Sequence, residues 1–576
     1  MVQIKGLPGA PGCVAGTAVI FAGRTLSLER KSVADPQAEI DAMEAARKRY
    51  EKTLTDLAAN SAGNNASEQA AIFDAYREIL QDDVFFDGVQ KLIAEESVCA
   101  SFAIERSRAE TEALFSGMDD EYLKARATDI NNVCRELMAE IQGVSTGDPF
   151  AGVEGRDLVI FAEDLTPADT VRLDRSRLAG LVTERGGVTS HTVILAKALG
   201  IPAVVGAGSI LDQVRTGDSV LVDGASGTAV IGADEATTQA FLSKKEKTDR
   251  QKTLFDASRA LPARSRDGVE LRVNINSGDS ESIRAFDVDS CDGVGLFRTE
   301  FLYMGQTNYP SEDLQFETYR NMAVQTAGKE LIIRTLDIGG DKQLDYMNLP
   351  KEANPFLGYR AIRLCLDRTE IFRTQLRAIL RSSAFGNVKI MFPMIVNLEE
   401  LLRAKELLEE AKAQLDERGE AYNRDVPVGI MVETPAAVLL SDQLARHCDF
   451  FSVGSNDLIQ YTTATDRQNE RVQNLYDCCN ISFLRAVRMA CTGAHTAGIP
   501  IGICGETASE PRLIPLWTAM GIDELSVAPG LVGRTKYIFS RLSKMELQPV
   551  LENALSCGRI GEVKTMLDNI LGEIGL

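Results

Sequence analysis

Five ionisable residues lie at the ends of apolar, strand-like segments in the second half of this 576-residue chain. These residues are Arg298, Arg334, Glu433, Asp457 and Cys504. Parallel strands are apolar along most of their length, so polar residues repeated at their ends indicate a shared site. The alternative, a set of unrelated polar strand ends, requires the same coincidence five times.

Four arginines lie at or just beyond predicted strand ends: Arg298, Arg334, Arg360 and Arg467. A planar guanidinium group donates paired hydrogen bonds to phosphate and carboxylate groups. The four together predict a small substrate that carries several negative charges.

Glu433 and Asp457 lie at the ends of consecutive predicted strands. Two such carboxylates suit Mg2+, which takes few protein oxygens and completes its octahedron with water and substrate oxygens. A metal that bridges substrate oxygens would neutralise charge during phosphoryl transfer. The carboxylates could instead form salt bridges with the arginines, and the residues alone leave both interpretations open.

Cys504 ends a buried segment and precedes Gly-Glu, so we expect its thiol to point into the site as a proton donor or acceptor. Taken by itself, the residue is better interpreted as a buried and unreactive cysteine.

His191, one of three histidines, occurs where a glycine turn becomes a helix, in Gly186-Gly-Val-Thr-Ser-His-Thr. The glycines permit a tight turn, and Thr189 or Ser190 can cap the helix. Free N–H groups at the helix start would stabilise an anion, and imidazole is a nucleophile near neutral pH. The segment alone favours a capping residue and a nucleophile equally.

Apolar strand-like segments alternate with helical stretches eight times in the second half of the chain. They begin at Leu271, Gly293, Leu331, Val388, Val428, Phe450, Pro500 and Asp523. Eight such units predict a (β/α)8 barrel with the strand-end residues together at its carboxyl-terminal face. His447 and His495 lie in helices before the sixth and seventh strands, and we interpret both as structural.

The first half is organised differently, because short strand-like segments are separated by long helical runs with apolar residues on one face. We predict an α/β multidomain protein with these parts: a small α/β domain (1–34 and 144–233), an inserted helical domain (35–143), a helical linker (234–262) and the barrel (263–576).

The chain has a net charge of −21, and the predicted insert contains 23 acidic and 11 basic residues. Such charge repels phosphate backbones and anionic lipid, so nucleic acid and membrane are poor candidates as partners. On the insert, it is typical of either a solvated outer face or a docking surface for a basic protein.

Neither a secretory leader nor an apolar stretch of about 18 residues is visible, so we expect a cytoplasmic protein. Eleven cysteines without C-x-x-C spacing favour reduced thiols over a disulfide framework. We interpret the adjacency of Cys478 and Cys479 as coincidental.

Several of these stretches carry a family resemblance. Residues 186–192 resemble the phosphohistidine motif of phosphoenolpyruvate-utilising enzymes, and the run from Asp449 to Arg467 resembles their second signature. Further matching segments are Phe297–Leu302, Arg334–Lys342, Asn354–Arg360, Val432–Ala437 and Cys504–Glu506. The chain is identified as a member of the enzyme I family of the bacterial sugar phosphotransferase system, the phosphoenolpyruvate:protein phosphotransferases.

The resemblance implies that His191 accepts the phosphoryl group of phosphoenolpyruvate and that Cys504 protonates the enolpyruvate carbon as pyruvate forms. It implies substrate binding by Arg298, Arg334, Arg360, Asn456 and Arg467. It implies Mg2+ binding by Glu433 and Asp457. The helical insert would dock the small histidine phosphocarrier HPr, the barrel would form a homodimer contact, and His191 would visit barrel and carrier in turn, as the first step of sugar uptake.

The chain departs from the family pattern at three places: Tyr76 where the insert usually has a histidine, Leu475–Asn480 without the usual prolines, and Ala528–Arg534. These departures bear on carrier docking and barrel-loop geometry. Pyruvate phosphate dikinase and phosphoenolpyruvate synthase share both motifs, but they carry a large ATP-grasp domain before the histidine domain, for which we expect no room here. A non-catalytic phosphorylation sensor would not need the acids, the cysteine and the arginines together.

Overall fold

The computed structural model divides into two compact units, Met1–Gln251 and Lys252–Leu576. It describes residues 1–21, 26–60, 73, 75–116, 121–144, 150, 153–165, 169, 173–187, 190–278, 288–304, 306–340, 344–469 and 471–576. At positions 56–60, 113–116, 121–128, 191, 194, 198 and 345 only the backbone is described.

The first unit contains a mixed eight-stranded sheet. Its strands are β1 (Val2–Lys5), β2 (Leu7–Ala10), β3 (Cys13–Phe21), β4 (Leu158–Ala162), β5 (Leu178–Thr183), β6 (Ala203–Val205), β7 (Ser219–Asp223) and β8 (Thr228–Ile231), in the order β1-β8-β7-β3-β4-β5-β6-β2. The central strands β3 and β4 are parallel, with Thr17 beside Leu158, although more than a hundred residues separate them along the chain. The intervening chain is therefore an insertion between two neighbouring strands.

The insertion is helical in its described residues. Its helices are α1 (Pro36–Asn60), α2 (Asp83–Glu96), α3 (Ala100–Ser116) and α4 (Glu121–Gln142), and residues 75–80 are helical as well. Met43, Tyr50 and Leu54 are buried on one face of α1, as their spacing predicts, and the side chain of Leu57 lies outside the described set. Tyr76 is buried too, and its hydroxyl accepts a hydrogen bond from Asn132 at 3.0 Å. The tyrosine therefore belongs to the core of the insertion.

Two further helices lie beyond the insertion. Helix α5 (His191–Leu199) follows the glycine turn, and α6 (Glu235–Arg259) covers the predicted linker. Helix α6 has no buried residue, which agrees with its charged sequence.

The second unit contains a closed barrel of eight parallel strands. These are β9 (Arg272–Ser277), β10 (Gly293–Arg298), β11 (Glu330–Arg334), β12 (Asn387–Phe392), β13 (Val428–Val432), β14 (Phe450–Gly454), β15 (Ile501–Cys504) and β16 (Glu524–Val527). Each strand pairs with the next, and β16 pairs with β9 to close the barrel. Strands such as Val-Gly-Ile-Met-Val are buried along their whole length because helices cover the outside of a parallel barrel. The predicted α/β class and (β/α)8 barrel are confirmed.

The helices of this unit are α7 (Phe301–Met304), α8 (Glu312–Gln325), α9 (Ile362–Asp367), α10 (Thr369–Ser382), α11 (Leu398–Arg418), α12 (Pro435–Leu439), α13 (Ser441–Leu444), α14 (Ser455–Thr463), α15 (Ile481–Ala497), α16 (Ile514–Met520), α17 (Val532–Ser540), α18 (Lys544–Ser556) and α19 (Ile560–Glu573). Short 3-10 helices span Val288–Ser290, Asp345–Met347, Pro355–Leu357, Ala445–His447, Gln473–Leu475, Glu506–Ser509 and Pro529–Leu531.

In the described part of the chain, no helix combines the length and the apolarity that a membrane span requires.

Candidate active site

The carboxyl ends of the barrel strands bring the sequence-predicted residues to one face. Arg298 and Arg334 end β10 and β11 and are paired in register, Cys504 ends β15, and Glu433 directly follows β13. Asp457 lies in the first turn of α14 rather than at a strand end, three residues beyond Gly454. The strand-to-helix turn after β14 thus supplies this carboxylate.

Two buried arginines share one buried carboxylate. Arg334 Nη1 lies 2.9 Å from Asp337 Oδ2, and Arg360 Nη2 donates to Asp337 Oδ1 at 2.8 Å. Arg334 also contacts Glu300, another buried carboxylate. Burial alone lowers the pKa of Arg334, but the charges of Glu300 and Asp337 outweigh it and raise the pKa above the ordinary value. Both guanidinium groups are therefore fully charged and held in fixed orientation.

Neither guanidinium group is saturated by these partners. The Nε atoms of Arg334 and Arg360 are buried and have no hydrogen-bond partner among the described residues. Arg360 also contacts Tyr461, whose hydroxyl accepts from Nη1 at 3.3 Å, and Asp457 Oδ2 at 3.6 Å. An anionic ligand would satisfy the donors that are left over.

Glu433 and Asp457 form the acidic part of the site. Glu433 is 1% exposed, and its Oε1 accepts a hydrogen bond from the Met394 N–H at 2.6 Å. Burial raises its pKa well above the ordinary value, and the charges of Asp457 and Asp337 add to the effect. Asp457 Oδ1 is buried and makes no hydrogen bond within the described residues. A cation between Glu433 and Asp457 would relieve both the repulsion and the unpaired oxygen.

The contacts of Asp457 also bear on the alternative that the site carboxylates form salt bridges with the arginines. Asp457 approaches Arg360, but Asp337 lies closer to that guanidinium group and also contacts Arg334. Asp337 and Glu300 are functional candidates that the sequence reasoning missed, although both lie in segments that carry the family resemblance. Glu300 is two residues beyond Arg298, and Asp337 is three residues beyond Arg334.

Asn456 and Arg467 are joined through Tyr476. The Tyr476 hydroxyl donates to the Asn456 carbonyl at 3.1 Å and also interacts with the Arg467 side chain. The Asn456 side chain accepts from the Glu506 N–H at 3.3 Å. Gly505, before Glu506, has φ +95°, and a Cβ there would lie 2.6 Å from Ser455 Oγ, so only glycine fits this turn.

Cys504 is almost completely buried at the strand end. Its sulfur accepts a hydrogen bond from Ser452 Oγ at 3.3 Å and lies 3.5 Å from the Val453 carbonyl. Burial raises the pKa of the Cys504 thiol to about 11, against the opposing effects of Ser452 and Arg334. The thiol is therefore protonated at neutral pH, within the arginine and carboxylate cluster.

The histidine segment belongs to the first unit. Ser190 occupies the N-cap position of α5, but its hydroxyl makes no capping hydrogen bond, and His191 is the first helical residue. Gly186 has φ +100°, which explains the glycine in the preceding turn. Val188, the possible cap Thr189 and the side chain of His191 lie outside the described residues.

The other two histidines make ordinary structural contacts. The carbonyl of His447 accepts from Lys405 Nζ at 2.9 Å, and His495 Nε2 lies 3.0 Å from Asp523 Oδ2. In the loop after β11, residues 341–342 of the segment that carries the resemblance lie outside the described residues.

Comparison with known proteins finds family matches in both units. Three segments match domains of the PEP-utilising enzymes: the N-terminal domain over residues 5–126, the mobile domain over 155–227 and the PEP-binding domain over 252–544. A solution structure of an Enzyme I protein matches with 31% identity and a TM-score of 0.36. The match covers 43% of this chain and 99% of the chain in that structure.

Full-length relatives match across both units. The phosphoenolpyruvate-protein phosphotransferase of Priestia megaterium is 39% identical over 97% of this chain and 98% of its own length. That of Geobacillus stearothermophilus is 40% identical over 97% of this chain and 96% of its own length. With identity of this degree over nearly the whole length, and with a charged site at the barrel's carboxyl-terminal face, the chain belongs to the phosphoenolpyruvate-protein phosphotransferases, a family of transferases among the PEP-utilising enzymes.

Proposed function

We propose that this enzyme transfers the phosphoryl group of phosphoenolpyruvate to its own His191 and then to the histidine phosphocarrier HPr, with release of pyruvate, as the first step of sugar uptake. The observation that carries the proposal is the pair of buried arginines, Arg334 and Arg360, which Asp337 holds together and which also contact the carboxylates of Glu300 and Asp457. Such a site suits a small ligand that has both phosphate and carboxylate groups.

The arginines bind the substrate. Arg334 and Arg360 already have fixed orientations, so little side-chain entropy is lost when an anion binds. Arg298 at the end of β10, Asn456 in the first turn of α14 and Arg467 beyond that helix would complete the binding set. The phosphorus–oxygen bond of the substrate breaks, a phosphorus–nitrogen bond forms at His191, and the three-carbon product is left with negative charge on its carbon and oxygen.

Glu433 and Asp457 would hold Mg2+, because both are oxygen donors and Asp457 Oδ1 has no other partner within the described residues. When bound, Mg2+ supplies neutralisation of phosphate charge. This role for Asp457 is compatible with its contact to Arg360, which uses the other oxygen.

Cys504 protonates the carbon of the three-carbon product. Its raised pKa keeps the thiol protonated at neutral pH, so that a proton is available at Sγ. Transfer of that proton completes pyruvate and leaves a thiolate, which Arg334 stabilises until solvent returns the proton.

The remaining parts of the proposal concern partners. The acidic helical insertion suits a basic carrier surface, which supports HPr docking on it. The N–H groups at the start of α5 suit a phosphoryl group on His191. We assign the homodimer contact to the barrel from the family resemblance.

The direct test is incubation with labelled phosphoenolpyruvate, Mg2+ and HPr, followed by measurement of label on both proteins. We expect one acid-labile, base-stable label on this chain and its appearance on HPr. His191→Ala should abolish both labels, whereas the matched variant His447→Ala should retain them. Label that survives His191→Ala would contradict the mechanism.

A further inference from the structure

A pair of adjacent cysteines lies beside the candidate site. Cys478 and Cys479 belong to the short segment between the 3-10 helix Gln473–Leu475 and α15. Both are free thiols, with Cys479 fully buried and Cys478 half-buried. Their sulfurs and an Asp477 carboxylate oxygen all lie within 4.8 Å of one another. The two thiols are therefore close enough to react with each other after a small backbone movement.

The surroundings make the two thiols unequal. A hydrogen bond with Cys479 lowers the pKa of Cys478 against the effect of burial, and the ammonium group of Lys564 lowers it further. The same hydrogen bond and burial raise the pKa of Cys479. Glu510 and Asp477 oppose ionisation of Cys478 but do not reverse its lowered pKa. Cys478 is also the more accessible of the two thiols, so it is the one that a disulfide from solution reaches first.

A metal site is the other chemistry that two thiols and a carboxylate can support. Here the carboxylate is already used, because Asp477 Oδ2 accepts from Lys564 Nζ at 2.6 Å and Oδ1 accepts from the Cys479 N–H at 2.9 Å. A divalent cation would have to displace the ammonium group of Lys564. The contacts therefore favour thiol chemistry over metal binding.

We propose that Cys478 and Cys479 form a redox-sensitive dithiol that reacts with small-molecule disulfides, and that the bond formed between them switches off the neighbouring active site. The Cys478 thiolate attacks the disulfide and releases one thiolate, which leaves a mixed disulfide at Cys478. The Cys479 sulfur then attacks the Cys478 sulfur, loses its proton and releases the second thiol. The protein is oxidised by two electrons, and the disulfide is reduced to two thiols.

Bond formation between adjacent residues requires the backbone to move. Consecutive Cα atoms across a trans peptide are about 3.8 Å apart, whereas disulfides usually join Cα atoms about 4.4–6.8 Å apart. The product is therefore strained and readily reduced, which suits a reversible switch.

The movement would reach the active site through Tyr476, two residues before Cys478. The Tyr476 hydroxyl holds the Asn456 carbonyl and the Arg467 side chain, while Lys564 anchors Asp477 from α19. Displacement of Tyr476 would release Asn456 and Arg467 from their present positions. The effect on turnover rests on the proposed function, whereas the thiol reaction does not.

To test this proposal, the full-length enzyme is treated with oxidised glutathione. The mass of the peptide that contains residues 478 and 479 and the turnover of phosphoenolpyruvate are measured on the same sample. We expect the peptide with residues 478 and 479 to lose two hydrogen atoms, and kcat/KM to fall by about tenfold to a hundredfold. Dithiothreitol should restore both. Cys478→Ser and, as a second variant, Cys479→Ala should keep the basal turnover and lose the sensitivity, while the half-buried control Cys557→Ser should remain sensitive.

Three results would overturn the proposal: a disulfide at 478–479 with unchanged turnover, inactivation that persists in Cys478→Ser, or a zinc ion retained by the reduced protein and lost in that variant. If the reduced enzyme shows no phosphoenolpyruvate turnover at all, the proposed function fails. The peptide mass still decides the thiol reaction in that case.

Discussion

At the scale of single residues, Cys504 shows how one environment produces one protonation state. The thiol is packed among apolar barrel residues such as Leu296 and Met431, and this burial dominates its raised pKa. An exposed cysteine would be partly ionised above about pH 8, whereas this one keeps its proton. Burial thus suits a proton donor, although in sequence alone it suggests an inert residue.

Replacement of Cys504 tests this role. We expect Cys504→Ala to lower the rate of pyruvate formation by about a hundredfold or more, because the proton donor is lost. The matched control Cys448→Ala removes another buried thiol, which precedes the start of β14 at the end of the barrel opposite the active site, and should leave pyruvate formation unchanged. If Cys504→Ala formed pyruvate at the normal rate, Cys504 would not be the proton donor and would serve only in packing.

At the scale of elements, the loops after β10 and β11 supply the carboxylates that position the arginines. Asp337 lies three residues beyond Arg334, and Ala361, next to Arg360, donates its N–H to the Ile338 carbonyl at 3.1 Å. This backbone contact brings Arg360 beside the end of β11. The loop conformation therefore determines where both guanidinium groups lie.

Asp337→Asn removes the charge between the two arginines. Loss of one partner of a buried ion pair costs about 3–5 kcal/mol in folding stability. Because both guanidinium groups lose the carboxylate that orients them, we expect KM for phosphoenolpyruvate to rise at least tenfold. Asp313, an exposed carboxylate that pairs with the half-buried Arg381, provides a control, because Asp313→Asn should change stability by less than about 1 kcal/mol and leave KM unchanged. Equal KM values for the two variants would show that Asp337 does not position the substrate site.

The end of β14 is also constrained by its glycine. A Cβ on Gly454 would lie 2.6 Å from Glu433 Oε2 and 2.9 Å from Met431 Cγ. We expect Gly454→Ala to displace Glu433, raise the Mg2+ concentration needed for half-maximal turnover, and cost about 1–3 kcal/mol in stability through overpacking. Gly572→Ala is the control, because Gly572 lies in α19 where an added Cβ would meet nothing within 4 Å, and it should stabilise by about 0.5–1 kcal/mol. If Gly454→Ala needed the same Mg2+ concentration as the wild type for half-maximal turnover, the result would contradict a role for Glu433 in metal binding.

At the scale of the barrel as a whole, a buried charged cluster closes the end opposite the active site. Glu330 and Glu524, at the starts of β11 and β16, share Arg272, at 3.1 Å and 3.7 Å, and Glu330 also contacts Lys389 and Asn274. Burial and the charge of Glu330 raise the pKa of Glu524 to about 7. Although burial opposes it, the charges of Lys389 and Arg272 lower the pKa of Glu330. One carboxylate is thus charged and the other is largely neutral below about pH 7.

This arrangement predicts a pH-dependent free energy of unfolding for the barrel. Because the folded pKa of Glu524 is raised, its contribution is fully present below its ordinary pKa of 4.5 and is lost as the pH rises through about 7. Glu330 acts in the opposite sense, since its contribution is lost as the pH falls below its ordinary value. Glu524→Gln mimics the neutral form, so the variant should gain up to about 3 kcal/mol relative to the wild type between about pH 5 and pH 8.

Urea unfolding monitored by tryptophan fluorescence measures this difference. The single tryptophan, Trp517, lies in the barrel unit and donates to the Thr507 carbonyl at 3.0 Å, so it reports on that unit. Glu546→Gln, which alters an exposed pair with Arg266, should show no change with pH relative to the wild type. A constant difference between Glu524→Gln and the wild type across the pH range would contradict the assignment.

Much of the barrel was predictable from the sequence because each strand is a short apolar run with a polar residue at its end. Arg298, Arg334, Glu433 and Cys504 lie at or directly beyond the predicted strand ends for that reason. Asp337 and Glu300 were not predicted, because a carboxylate near an arginine in sequence carries no signal of which guanidinium group it will contact. The domain boundaries and the roles of the site residues stay predictions.

The fold class, the family and the face of the barrel where the polar residues meet could be predicted from the amino-acid pattern, since apolar periodicity and local motifs encode these directly. Which charges neutralise one another became visible in the three-dimensional structure, because Asp337 joins Arg334 to Arg360 through a loop contact and Glu524 meets Arg272 through barrel closure. The same structure also placed Tyr476 against Asn456 and Lys564 against Asp477. Pairwise electrostatics and burial depend on distances between segments far apart in the chain, and no local pattern of residues specifies those distances.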